Sequence, residues 1–159
     1  MLIPRQGRFV RTDIWREGEW LDLWSVVHFL SGVSIGLGLY FLNLGALASV
    51  LLTFVSLVGY EMWEALVKIK ETPSNRCMDV VVGMTSFVPS FFFVAPALSD
   101  TLLILMFGLV LTANVVLSVF GWQASQKAAV LETVMRQKYA AQRAKLSRRG
   151  KRLRESIGR

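Results

Sequence analysis

The chain has 159 residues, of which 53% are hydrophobic and only 18% charged, and its mean hydropathy is +0.48. A water-soluble domain of this size would lack the polar residues to cover itself, so the composition excludes an ordinary soluble protein and predicts one compact membrane-embedded unit. The balance of 18 Lys and Arg against 11 Asp and Glu leaves a net charge of +7, and a single cysteine, Cys77, excludes an internal disulfide and matches no zinc spacing.

Residues 1–22 form a charged leader carrying Trp15 and Trp20. It lacks the short basic start and small-residue cleavage site of a secretory signal, so the apolar stretch behind it is expected to stay as a span. Four stretches meet the roughly 20 apolar residues a bilayer crossing needs. They cover about 23–42, 47–67, 77–97 and 101–121. Between them lie "NLG" (43–45), "KIKETPSNR" (68–76) and "LSD" (98–100), two tight turns around one longer polar loop. Pro89 and Pro96 are expected to bend the third span. The last segment, 122–159, is polar and basic, with a helical composition to about Leu146. The expected fold is an all-α membrane protein, a four-transmembrane-helix bundle with a basic, partly helical cytoplasmic tail.

Orientation follows from charge. Arg5, Arg8, Arg11 and Arg16 precede the first span, Lys68, Lys70 and Arg76 lie between the second and third, and every other Lys and Arg follows the fourth. Four spans put all these regions on one side, which the positive-inside rule makes the cytoplasm. The expected location is therefore a membrane crossed four times, with both termini cytoplasmic. Trp15, Trp20, Trp24, Trp63 and Trp122 fall near the same ends, as an interfacial belt would.

Counting 1.5 Å of rise per residue puts His28 about 8 Å below that boundary, Glu61 about 10 Å, Glu64 about 6 Å and Asn114 about 12 Å. Asp79 lies near the start of the third span. An ionisable side chain inside a span normally faces other helices and finds a partner there. The most economical partner for His28, the only histidine, is Glu61 across the contact of the first two spans. Gly32 and Gly36 form a GxxxG, and Ser34 and Gly38 a further small-residue step, which let another helix approach closely. Glu64 precedes Lys68 by four residues, the favourable order for a helical ion pair. "ETPSNRCMD" (71–79) offers a capped helix start, and Asn75, Arg76 and the first amides of that helix could line a pocket for an anionic group. His28 has three readings on these grounds: a packing hydrogen-bond partner, a substrate or proton role, and metal ligation. The sequence leaves any cofactor unknown, and it assigns no metal-binding residues.

"LDLWSVVHFLSG" (21–32), "YEMWE" (60–64) and "ETPSNRCMDVVVGM" (71–84) resemble the VanZ-like and YjdF-like small bacterial integral membrane proteins over about half the chain. Carried over position by position, the resemblance implies roles for Asp22, His28, Glu61, Asp79 and Gly83, with Ser74, Asn75 and Arg76 in the loop. It departs at Glu64, where the group commonly has Gln, and at "VVVGM", where the group has a polar Asn. It implies a connection to the cell envelope, lipids or glycopeptide resistance.

The ending "KLSRRGKRLRESIGR" has no Trp or Phe to stack on bases. Anionic lipid headgroups are accordingly the expected partner of the tail and nucleic acid is not. The predicted function is a VanZ-like membrane protein whose cytoplasmic-side layer of His28, Glu61, Glu64, Asn75, Arg76, Asp79 and Asn114 binds a lipid headgroup or other anionic amphiphile. The alternatives are a membrane enzyme with His28 as general base and Glu61 or Asp79 as further catalytic candidates, or an assembly factor docking partner proteins. The chain carries no nucleophile elbow, HExxH or P-loop. Four short spans would enclose a transport pathway only as a homo-oligomer or with another membrane protein.

Overall fold

A computed structural model describes residues 2–5, 8–11, 14–16, 18–67 and 72–157, with side chains described between 14 and 148. Among the described residues, four helices are long and apolar enough to cross a membrane. These are α1 (Leu23–Phe41), α2 (Ala46–Leu66), α3 (Pro73–Ala97, with π-helical turns at Ser90–Val94) and α4 (Asp100–Ile157). Two boundaries differ from the sequence reading. Helix α3 begins at Pro73 rather than Cys77, and α4 continues without interruption to Ile157 rather than ending near Leu146. Lys68, Lys70 and Glu71, and with them the Lys68 partner expected for Glu64, lie outside the described residues, as do the side chains of the first arginines and of the last basic residues.

Local chemistry fixes the helix ends. Asp22 caps α1, its Oδ1 accepting from the amides of Trp24 at 2.7 Å and Ser25 at 3.3 Å, while the Ser25 hydroxyl accepts from the Asp22 amide in a reciprocal box. The α1–α2 turn runs through Asn43 at a φ of 54°, a left-handed conformation that Asn tolerates better than most residues. Thr72 accepts from the Asn75 amide and Pro73 occupies the first turn, where its missing N–H costs no helical bond. Extending α3 back to Pro73 draws Asn75 and Arg76 out of the expected loop and into a helix.

The chain divides into two compact units. In the larger, residues 14–122, α1 packs chiefly on α3, and α2 packs on α3 more than on α1. The glycines explain this arrangement. A Cβ on Gly32 would collide with the backbone oxygen of Gly83 and the hydroxyl of Ser86, and one on Gly36 would press on Ser90 and Phe87. The small-residue face of α1 therefore receives α3, not α2, and the backbones meet with little between them. Gly83 is in turn covered by Leu57 of α2. Leu37, Ala95 and Leu103 form a buried apolar cluster, and Phe87 stacks on Phe91 with ring centroids 5.5 Å apart.

The two prolines of α3 bracket its change of register. Pro89 and Pro96 lack N–H groups, and between them the Ala95 amide reaches back five residues to the Ser90 carbonyl. Hydroxyls take up the local carbonyls: Ser90 donates to Ser86 at 2.7 Å, and Ser86 donates to Phe29 of α1 at 2.8 Å. Trp15 departs from the expected belt. It is buried, edge-on to Trp24 at 5.1 Å, and its ring fills the space over Gly121. Trp20, Trp63 and Trp122 stay exposed.

The smaller unit holds residues 1–13 and 123–159. It contains a short antiparallel ladder, β1 (Leu2–Arg5) with β2 (Arg8–Arg11), in which Leu2 faces Arg11 and Arg5 faces Arg8. In its helical part Glu132 pairs with Arg136 one turn on.

Candidate functional site

Three helices deliver ionisable side chains to one point. His28 lies in the second turn of α1, Glu61 is five residues from the end of α2, and Asp79 is in the second turn of α3. All three are buried, with exposures of 7%, 6% and 1%. His28 Nε2 stands 3.5 Å from Glu61 Oε1 and 3.8 Å from Asp79 Oδ2. The expected His28–Glu61 approach is therefore present, and Asp79 completes it from the helix against which the glycines seat α1.

Asp79 is held from behind. The Ser25 hydroxyl donates to its Oδ1 at 2.7 Å, and the Asn75 amide donates to its Oδ2 at 3.3 Å. Ser25 has one proton to give and gives it here, while its oxygen accepts from the Asp22 amide in the cap of α1. Asn75 also donates to Asp22 Oδ2 at 3.1 Å, so one side-chain amide ties the two aspartates and the starts of α1 and α3 together. Thr72 adds a further tie by donating to the Glu19 carbonyl at 3.0 Å. The Tyr60 ring meets the His28 imidazole edge-on, with centroids 5.6 Å apart.

The other expected residues are placed differently. Asn75 is fully buried inside the network, not at its rim. Arg76, in the first turn of α3, and Glu64, nearly one turn beyond Glu61, are both partly exposed at the same end of the spans. Asn114 does not join the layer. Its amide donates to Ser31 of α1 at 2.9 Å, a separate α1–α4 contact. Counting depth along each span aligned it with the others, but depth carries no information about which way a helix face turns.

Sequence reasoning from the residues alone missed Ser25 and gave Asp22 no role beyond family resemblance. The available signal was the D-x-x-S spacing of residues 22–25, which marks a helix cap and nothing more. Only the fold shows the same hydroxyl reaching Asp79. Comparison with protein families, with characterised proteins and with solved structures gives no match to this chain.

Proposed function

We propose that this chain is a VanZ-like, envelope-associated protein of the bacterial inner membrane, a bundle of four spans with both termini in the cytoplasm, whose polar centre serves to bind the headgroup of an anionic amphiphile. The observation that carries this reading is the convergence of His28, Glu61 and Asp79 from three membrane-length helices on one buried point. Ionisable groups are expensive inside a membrane, and packing alone would be better served by apolar residues, so such a cluster marks a working site. Arg76, partly exposed in the first turn of α3, is a cation at this end of the spans that suits a phosphate or carboxylate headgroup. The basic tail is a second point of contact with anionic lipid.

The test is mass spectrometry on protein purified in mild detergent. One class of anionic amphiphile should be retained by the natural chain and lost from Arg76→Ala. Identical bulk lipid on both proteins would overturn the reading. The orientation has its own check. Reporters fused at Asn43 and Ser99 should report the outside, and those at Thr72 and Arg159 the cytoplasm. A cytoplasmic signal from Asn43 would remove the proposed topology.

A further inference from the structure

The separations inside the cluster are poor for hydrogen bonds. An N–H···O bond spans roughly 2.7–3.2 Å. His28 Nε2 instead stands 3.5 Å and 3.8 Å from the two carboxylates that share it. Donor atoms bound to one small cation are spaced differently. With metal–ligand bonds near 2.1 Å, the edges of a tetrahedral site are about 3.4 Å long. One donor atom from each of His28, Glu61 and Asp79 can be chosen so that all three lie within 4.8 Å of one another, which needs only a small inward turn of the side chains to reach that edge.

We infer that His28, Glu61 and Asp79 form a binding site for one first-row divalent metal ion, of the Mn²⁺, Fe²⁺ or Zn²⁺ class. Charge supports the assignment independently of distance. Two carboxylates and a neutral imidazole around a divalent ion make a neutral centre, the state that a low-dielectric interior tolerates. The donor set selects the ion. One imidazole nitrogen with two carboxylates suits borderline metals, while Mg²⁺ and Ca²⁺ favour oxygen alone, and no thiolate is present to favour copper(I). Cys77 is exposed and is not a member of the cluster.

The surroundings are those of a ligand set rather than a casual contact. Metal-bound carboxylates are characteristically hydrogen-bonded on their outer side. Asp79 receives Ser25 on one oxygen and Asn75 on the other, and Asn75 is itself anchored by Asp22. Because the three ligands come from three helices, a bound ion ties α1, α2 and α3 together at one end. Three protein ligands leave at least one position open, the arrangement of metal sites that bind or activate a further molecule. The metal site does not depend on the headgroup reading and stands or falls apart from it.

The test uses the full chain in detergent, measuring metal content by elemental analysis and thermal stability with Mn²⁺, Zn²⁺ or Co²⁺ added after chelator treatment. About one equivalent of ion per chain should bind, stability should fall on chelation and return on re-addition, and Co²⁺ should give a visible d–d band. Asp79→Asn and Glu61→Gln should lose the band, while Asn114→Ala, outside the cluster, should keep it. If the ligand variants fail to fold, Ser25→Ala, which removes the hydrogen bond to Asp79 and one half of the α1 cap but leaves all three ligands in place, should weaken binding about 10-fold or more. A folded natural chain that binds none of the three ions and shows no stability shift overturns the inference. So does a Co²⁺ band that survives both Asp79→Asn and Glu61→Gln. Amphiphile retention, read separately in chelated protein, reports on the headgroup proposal alone.

Discussion

Gly32→Ala should be among the most damaging single-methyl additions to this protein, lowering stability by about 3 kcal/mol, near the upper end of what overpacking costs. The added carbon has no soft neighbour to displace. It meets the backbone oxygen of Gly83 and the Ser86 hydroxyl, so α1 and α3 would have to separate along their whole contact. Separation would also pull Ser25 away from Asp79 and His28 away from both carboxylates, since the cluster is built across that same seam. Gly59→Ala is the control. A Cβ there meets nothing within 4 Å, and α2 should gain about 0.5–1 kcal/mol from the better helix former. Denaturant or thermal unfolding of both variants in one detergent measures the contrast. Equal stability for the two would mean that α1 and α3 do not approach as closely as the structure has them.

Much of this architecture is legible in the sequence because a membrane leaves few choices. Apolar runs of sufficient length with short polar turns give four spans, and the described residues hold four helices long and apolar enough to serve as them. The GxxxG at Gly32 and Gly36 announces a close helix contact, but small residues specify only that some helix comes near. That α3 rather than α2 fills the position depends on Gly83 and Ser86 facing it from fifty residues away. The site was legible to the same degree. His28 and Glu61 could be matched by depth and chemistry, and Asp79 lay at the right level. Asn114 was matched by the same count and turned out to bond Ser31, because rotation of a helix about its own axis is invisible to a count of residues. Ser25 was hidden for a different reason. A serine at the third position of a helix has a complete local explanation as half of a cap, and nothing in its neighbourhood signals a second bond to another helix.

The largest expected effect at the site itself is that of His28→Leu, and it distinguishes a simple ion pair from a three-membered centre. Removing the imidazole takes a neighbour from Glu61 and Asp79 at once, and stability should fall by about 3 kcal/mol or more, as when one partner of a buried pair is deleted. Glu61→Leu should cost less, because His28 keeps Asp79, whose own oxygens are held by Ser25 and Asn75. In a two-membered pair, the double variant His28→Leu/Glu61→Leu would recover most of the loss. Here recovery should be partial, with a coupling of about 0.5–3 kcal/mol, because Asp79 remains buried without the imidazole. Adding Asp79→Asn to the double variant should then recover a further share. The cycle is measured in chelator, so that any contribution from a bound ion drops out and only the side chains are compared. Full recovery in the double variant would reduce the centre to His28 and Glu61. Strictly additive losses would show that the imidazole and the Glu61 carboxylate do not interact in the metal-free protein, and the three-membered side-chain centre would have to be abandoned.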